Sequence, residues 1–166
     1  IGTVYSSLGE HKKALEYINK GMALELGLGN REGILVNIVN TGIVYGDMKD
    51  YANALLYFDK GMRLADSIGD VNWKLVCLNN VAEAYYYLGR KNEAITAYKE
   101  VLKLTEKIND AQIIISSHSG IGKILIEKGN TPDGIKHLEQ AFELARQKDM
   151  KESVFKIAED LSQAYE

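Results

Sequence analysis

Several groups of residues in this chain have the types that bind or transform ligands. The segment Ser119-Gly120-Ile121-Gly122-Lys123-Ile124 carries the glycines and lysine of a phosphate loop, whose backbone N–H groups cradle phosphates. The earlier glycine of that pattern falls at Ser117, however, and Ile124 stands where the magnesium-binding hydroxyl belongs, so helix packing is the better reading. His11, His118 and His137 share no metal-ligand spacing, His118 falls on the helical face meant for its partner helix, and Cys77 has no histidine near it in sequence. Two carboxamides, Asn40 and Asn80, offer donors and an acceptor suited to the backbone of an extended peptide. Tyr86 and Tyr87 offer broad, rigid contact area at small entropic cost. Glu83 and Lys123 supply opposite charges at the same interval as the two asparagines.

The whole chain limits what these residues do. It has 166 residues, 46% of them hydrophobic and 26% charged, as expected of ordered globular or repeat structure. Twenty Lys and Arg against 23 Asp and Glu leave a net charge of -3, so no basic surplus exists to neutralise nucleic-acid phosphates. One cysteine excludes an internal disulfide framework and fits a reducing, cytoplasmic setting. No apolar stretch approaches the roughly 18 residues of a membrane span, and no charged-then-apolar pattern reads as a leader, which says little about the parent protein. The chain opens at Ile1 rather than Met and reads as a fragment of a longer array. No nucleophile–base pair, metal cluster or phosphate loop survives inspection, which predicts a protein that is not an enzyme and needs no cofactor and no metal.

The elements that must position these residues follow from self-similarity at an offset of 40. Tyr5, Tyr45, Tyr85, Leu125 and Tyr165 form one column, and Gly2, Gly42, Ala82, Gly122 and Ser162 another. Ala14, Ala54, Ala94 and Gly134 keep a small residue in register, followed by the bulky Ile18, Phe58, Tyr98 and Leu138. A further column reads Leu24, Leu64, Leu104, Leu144. Within each unit, apolar residues recur at three- and four-residue steps, as in Ala54, Leu55, Phe58, Gly61, Met62 and Ala65, which is helical spacing.

Two breaks divide each unit. The first is Leu8-Gly9, Met48-Lys49, Leu88-Gly89 and Lys128-Gly129; the second is Gly29-Asn30, Gly69-Asp70 and Asn109-Asp110, a helix stop beside an N-cap. Pro132, after Thr131 as cap and before Asp133, starts a helix rather than breaking one. First helices are predicted at about 1–8, 31–48, 71–88, 111–128 and 151–165, and second helices at about 10–28, 50–68, 90–108 and 131–148. The predicted fold is all-α, an α-α superhelix or solenoid of stacked antiparallel hairpins with about nine helices. It forms a single array over 1–166 with repeats at 1–29, 30–69, 70–109, 110–149 and 150–166. The small column leaves room for the bulky one on the partner helix, so small is expected to meet large.

The pattern Asn80-Val81-Ala82-x-x-Tyr85-x-x-Leu88-Gly89-x-x-x-x-Ala94-Ile95-x-x-Tyr98-x-x-Val101-Leu102, matched in phase by the other units, resembles the tetratricopeptide repeat. The stride is similar to the longer variant of kinesin light chains, Pins-type proteins and peptide-sensing bacterial regulators. Lys49 in place of the turn glycine and Leu125 in place of a tyrosine depart from that pattern. The resemblance implies a protein-binding superhelix, in which an asparagine at the place of Asn40 and Asn80 often grips the peptide backbone.

One stripe of each first helix is left for the inner side of such a superhelix. It comprises Val36, Val39, Asn40, Ile43, Gly46 and Asp47, then Val76, Asn79, Asn80, Glu83, Tyr86 and Tyr87, then Ser116, Ser119, Gly120, Lys123, Ile126 and Glu127. Its chemistry changes while the packing columns hold. For the asparagines the alternative is an interhelical or solvated side chain, for the tyrosines packing along the wall, and for Glu83 and Lys123 an ion pair with each other. The expected function is non-catalytic binding of an extended peptide or a partner helix in this groove; the family resemblance implies that the chain is the sensory or scaffold segment of a larger signalling protein. The expected partners are protein or peptide, not nucleic acid and not membrane. The alternative is a self-assembling array, homo-associating through its end helices.

Overall fold

The computed structural model describes residues 2–105, 108 and 110–165. Among them the regular elements are helices: α1 (Gly2–Ser7), α2 (His11–Leu28), α3 (Arg31–Asp47), α4 (Tyr51–Ile68), α5 (Val71–Tyr87), α6 (Lys91–Thr105), α7 (Ala111–Glu127), α8 (Thr131–Gln147) and α9 (Lys151–Tyr165). The first helices α3, α5, α7 and α9 open at residues 31, 71, 111 and 151, so the stride of the sequence is the stride of the structure. Residue 1 of the first expected helix, residues 106–107 of the helix expected over 90–108, and Asn109 of the second break lie outside the described residues. The chain packs as two compact units, Ile1–Leu88 and Gly89–Glu166.

The breaks work as their residue types require. Asn30, Asp70 and Asp110 cap α3, α5 and α7, their side chains accepting the backbone N–H of Gly33, Trp73 and Ile113 at 3.2, 3.0 and 3.1 Å. Before α8 the expected cap is displaced. Thr131 is already helical, Asn130 takes the cap position without a side-chain bond to the backbone, and its Nδ2 donates instead to Asp133 at 2.8 Å. The turn between the helices of each hairpin needs one left-handed residue. Gly9, Gly89 and Gly129 supply it at φ 75°, 74° and 82°, and Lys49 adopts it at φ 60°. A Cβ is strained in that region by about 1–2 kcal/mol, partly offset by the smaller conformational freedom of lysine in the unfolded chain. Lys49→Gly is therefore expected to raise the unfolding free energy by about 0.5–1 kcal/mol, measured by urea denaturation; a destabilised variant would refute the strain.

Small meets large within the hairpins. A Cβ on Gly2 would lie 2.6 Å from Ile18, one on Gly42 would lie 2.6 Å from Phe58, and one on Gly122 would lie 2.8 Å from Leu138. Ala82 and Tyr98, the remaining pair of that column, belong to different units. Mid-helix glycines cost about 1 kcal/mol of helix propensity, and here contact explains them. A Cβ on Gly61 would stand 2.9 Å from Cys77 Sγ, and one on Gly21 would stand 3.1 Å from Asn37 Oδ1.

In the first unit the core gathers Leu35, Val39, Ala54, Phe58, Ala65, Cys77 and Val81, with Trp73 packed against its edge. In the second unit Ile115, Leu138, Ala141, Ala145 and Ile157 form the cluster. Leu24 departs from its column and is 70% exposed, because the six described residues of α1 do not reach it. Within the first unit α3 approaches both α1 and α5, whereas α2 and α4 come nowhere within 8 Å between Cα atoms among the described residues. First helices closer together than second helices bend that unit toward the first-helix side, the side on which the candidate residues lie.

Candidate functional site

The exposed stripe of α3 and α5 in the first unit holds the two carboxamides. Asn40 and Asn80 are both part-buried at the same register position. Asn80 Nδ2 donates to the carbonyl of Val76 one turn back at 2.7 Å, which fixes the side chain and uses one of its donors. Its carbonyl oxygen keeps acceptor capacity, the part of the amide that a peptide N–H needs. Val36 and Asn79 are part-buried beside them, and Ile43 is 38% exposed. Val39, expected on the same stripe, is instead 0% exposed in the core with Leu35 and Phe58. It directly precedes Asn40 in sequence, and a helical step of about 100° is enough to turn it inward.

At the lower end of this stripe the rings of Tyr51 and Tyr87 stack, with centroids 4.8 Å apart and planes 10° from parallel. Tyr86 meets Tyr87 at 5.2 Å in a tilted arrangement. Tyr87 is 53% exposed, and Glu83, four residues earlier on α5, is exposed on the same face. Burial raises the phenol of Tyr87 above its ordinary value, and the negative charge of Glu83 raises it further. Tyr51 is raised by burial, then by Tyr87 and Glu83.

The equivalent stripe in the second unit is built differently. Lys123 Nζ lies 2.9 Å from Asp160 Oδ2, so α7 and α9 are tied by an ion pair at the place expected for a pairing with Glu83. Gly120 takes the asparagine position because the ring of Tyr98 occupies the space a side chain would need. Ser119 Oγ is buried without a hydrogen-bond partner among the described residues. The carboxamide pair therefore ends with the first unit. Gly120 and Gly122 face Tyr98 and Leu138 in mid-helix, which accounts for the glycines of the phosphate-loop-like segment by packing.

Sequence reasoning put His118 against its partner helix without finding what meets it. His137 on α8 does, with the two Nδ1 atoms 2.9 Å apart. One ring donates and the other accepts, so the pair cannot hold both protons at these atoms. Burial, then the charge of His137, pushes His118 down to about 4. His137 is lowered by burial first, then by Lys99 of α6 and Lys136, with Asp133 opposing. Both folded-state values lie below the ordinary 6.5, so the unfolded chain takes up protons first as pH falls. The contribution of the pair is whole above about pH 6.5 and is lost toward pH 4. Discounted for solvent screening at these part-exposed rings, it amounts to about 1–2 kcal/mol. Urea midpoints of wild type and His118→Leu between pH 7 and 4.5 should converge as pH falls, whereas parallel curves would refute the coupling.

The remaining candidates are accounted for by packing. Cys77 is fully buried, and burial pushes its thiol up to about 12, far from a reactive thiolate. Among the described residues no cluster of three or more His, Cys, Asp or Glu has metal-binding geometry. None of the described helices is long and apolar enough to cross a membrane. Tyr51 was not singled out by sequence. The signal for Tyr51 is a spacing of 36, which also brings together Lys91 and Glu127 at 2.8 Å, the start of one second helix and the end of the next first helix.

Models of the tetratricopeptide repeat match residues 33–107 and 1–26. No curated protein sequence matches the chain. Among solved structures, a kinesin light chain-type protein with nearly identical TPR-like repeats from Podosopora anserina superposes with a TM-score of 0.74 at 16% identity, covering 99% of this chain and 82% of that one. BtubC from P. vanneervenii gives 0.78 at 14% identity over 99% of this chain and 72% of its own. A signal transduction ATPase with a tetratricopeptide repeat sensor, from Pyrococcus horikoshii, gives 0.85 at 16% identity over 99% of this chain and 26% of that protein. At such identities the likeness is one of fold. Repeats of this kind generally mediate protein–protein interaction, and with sequence models and hairpin geometry in agreement the chain belongs to the tetratricopeptide repeat family.

Proposed function

We propose that the chain is a non-catalytic interaction module that takes an extended peptide, or a partner helix, along the inner face of its first helices. The observation that carries this reading is the contrast between two sets of positions. The sockets of Gly42 with Phe58 and Gly122 with Leu138 repeat, while the exposed stripe beside them varies and offers two carboxamides one repeat apart. A carboxamide pair reads backbone rather than side chains, which suits a module that holds a strand in register while its neighbours select sequence. Within the first unit the grip comes from Asn40 and Asn80, and Ile43, Val36, Asn79, Tyr86 and Tyr87 line the way. In the second unit Lys123 is held by Asp160 and Ser119 Oγ is buried, so the grip rests on the first unit. The tetratricopeptide sensor of the Pyrococcus horikoshii ATPase supports the further reading of this chain as the sensory or scaffold part of a larger signalling protein.

A peptide-library capture with wild type and the Asn40→Ala, Asn80→Ala double variant, side by side, tests the reading. Capture by the double variant is expected to fall at least tenfold with helicity and melting unchanged, since each lost hydrogen bond contributes about 1 kcal/mol. Undiminished capture would remove the groove model.

A second reading has its own observation. Phe155 is 68% exposed at the register position where Leu35 and Leu75 are 0% and Ile115 is 3% exposed. With Phe142, Val154 and Ala158 it lines an apolar recess between α8 and α9. Self-association through this end would make the apparent mass rise with concentration and would be reversed by Phe155→Glu. A wild type that stays monomeric at every concentration would end it.

A further inference from the structure

The first unit stacks three pairs of tyrosines across its helices, and they are not treated alike. Tyr5 and Tyr17 lie 5.1 Å apart, and Lys13 and Lys20 sit over their rings at 5.5 and 5.1 Å. Tyr45 and Tyr57 lie 5.3 Å apart, and Lys60 sits over Tyr57 at 4.8 Å. The chain thus repeatedly sets an ammonium on a tyrosine face, where the negative potential of the ring attracts it. The third pair, Tyr51 and Tyr87, has no such cation among the described residues. It has Glu83 instead, one helical turn from Tyr87 on the same face.

Glu83 makes no ion pair and no hydrogen bond among the described residues, and it is exposed. Its charge reaches both rings, since it helps to raise the phenols of Tyr51 and Tyr87. The neighbouring stripe positions of the unit, Val36, Asn40, Ile43, Asp47, Val76 and Asn80, add one more acid and no base. In the second unit the corresponding charges are consumed internally, by Lys91 with Glu127 and by Lys123 with Asp160. Among the described residues, stacked aromatic faces and an uncompensated carboxylate are combined in the first unit.

We propose that Tyr87, the Tyr51 ring stacked on it and the Glu83 carboxylate form a cation subsite that receives one basic side chain of the bound peptide. The inference rests on the peptide-binding reading above and adds to it the charge of the ligand. Arginine suits the subsite better than lysine, because a planar guanidinium lies flat on Tyr87 while its N–H groups reach the carboxylate.

Two pools of seven-residue peptides, with arginine or the isosteric, uncharged citrulline fixed at the centre, test it on the full chain. Wild type is expected to capture the arginine pool about tenfold better, the effect of a cation–π contact reinforced by a carboxylate. Glu83→Gln and Tyr87→Leu, both at exposed positions, are expected to bring the ratio toward one. The Asn40→Ala, Asn80→Ala variant should weaken both pools alike and keep the ratio. Peptide capture without preference for arginine, or a preference that survives Glu83→Gln, overturns the cation subsite and leaves the peptide-binding reading standing. Capture of neither pool overturns both.

Discussion

Phe58→Ala is expected to lower the unfolding free energy by about 3–5 kcal/mol. The ring is 3% exposed, lies among Leu35, Val39, Ala54, Ala65, Cys77 and Val81, and fills the space that a Cβ on Gly42 would need. Removing it leaves a hole between two helices whose separation is held by other contacts, so little collapse offsets the loss. Urea denaturation followed by far-UV circular dichroism measures it, and a loss below about 1.5 kcal/mol would contradict the socket. A second variant separates the socket from simple loss of a large side chain. Gly42→Leu alone overfills the gap and destabilises, but in the Phe58→Ala background it is expected to restore part of the stability. That reversal of sign arises only if the two positions share one volume.

Gly122→Leu should cost about 2–3 kcal/mol in the second unit. A Cβ there would stand 2.8 Å from Leu138 Cγ and 2.9 Å from the carbonyl oxygen of Gly134. A side chain turns aside, but the main chain of α8 moves only with the helix. Gly134 is equally constrained, since its own Cβ would lie 2.8 Å from the carbonyl oxygen of Gly122. Glycines on both helices thus bring α7 and α8 into backbone contact. Thermal or urea melts of the variant read the cost, and a melt unchanged from wild type would mean that the helices separate freely.

The scaffold is legible in the sequence because sterics and backbone conformation impose the same residue types at each stride. The Asx caps at Asn30, Asp70 and Asp110, the left-handed turn at Gly9, Gly89 and Gly129, and the glycine sockets each report a local constraint that recurs. Even Lys49, a departure in residue type, keeps the required backbone at φ 60°. The chemistry of the stripe is less legible, because it depends on side chains that reach across repeats. Lys123 turns to Asp160, Tyr98 fills the place of an asparagine side chain at Gly120, and Tyr51 crosses to Tyr87. In each case the two residues lie in different columns of the repeat, so column-wise reading does not bring them together. His118 shows both sides: helical periodicity assigned its face, but only the packed hairpin reveals His137 opposite, at 2.9 Å.

The central claim is that recurrent sockets hold the hairpins while the face of the first helices binds. Amide hydrogen exchange on the full chain, with and without a peptide recovered from the arginine pool, tests this most directly. The account predicts that bound peptide slows exchange over residues 36–47 and 76–87, on α3 and α5, and leaves α4 nearly unchanged. Protection centred on α4, or binding that protects neither first helix, would contradict it.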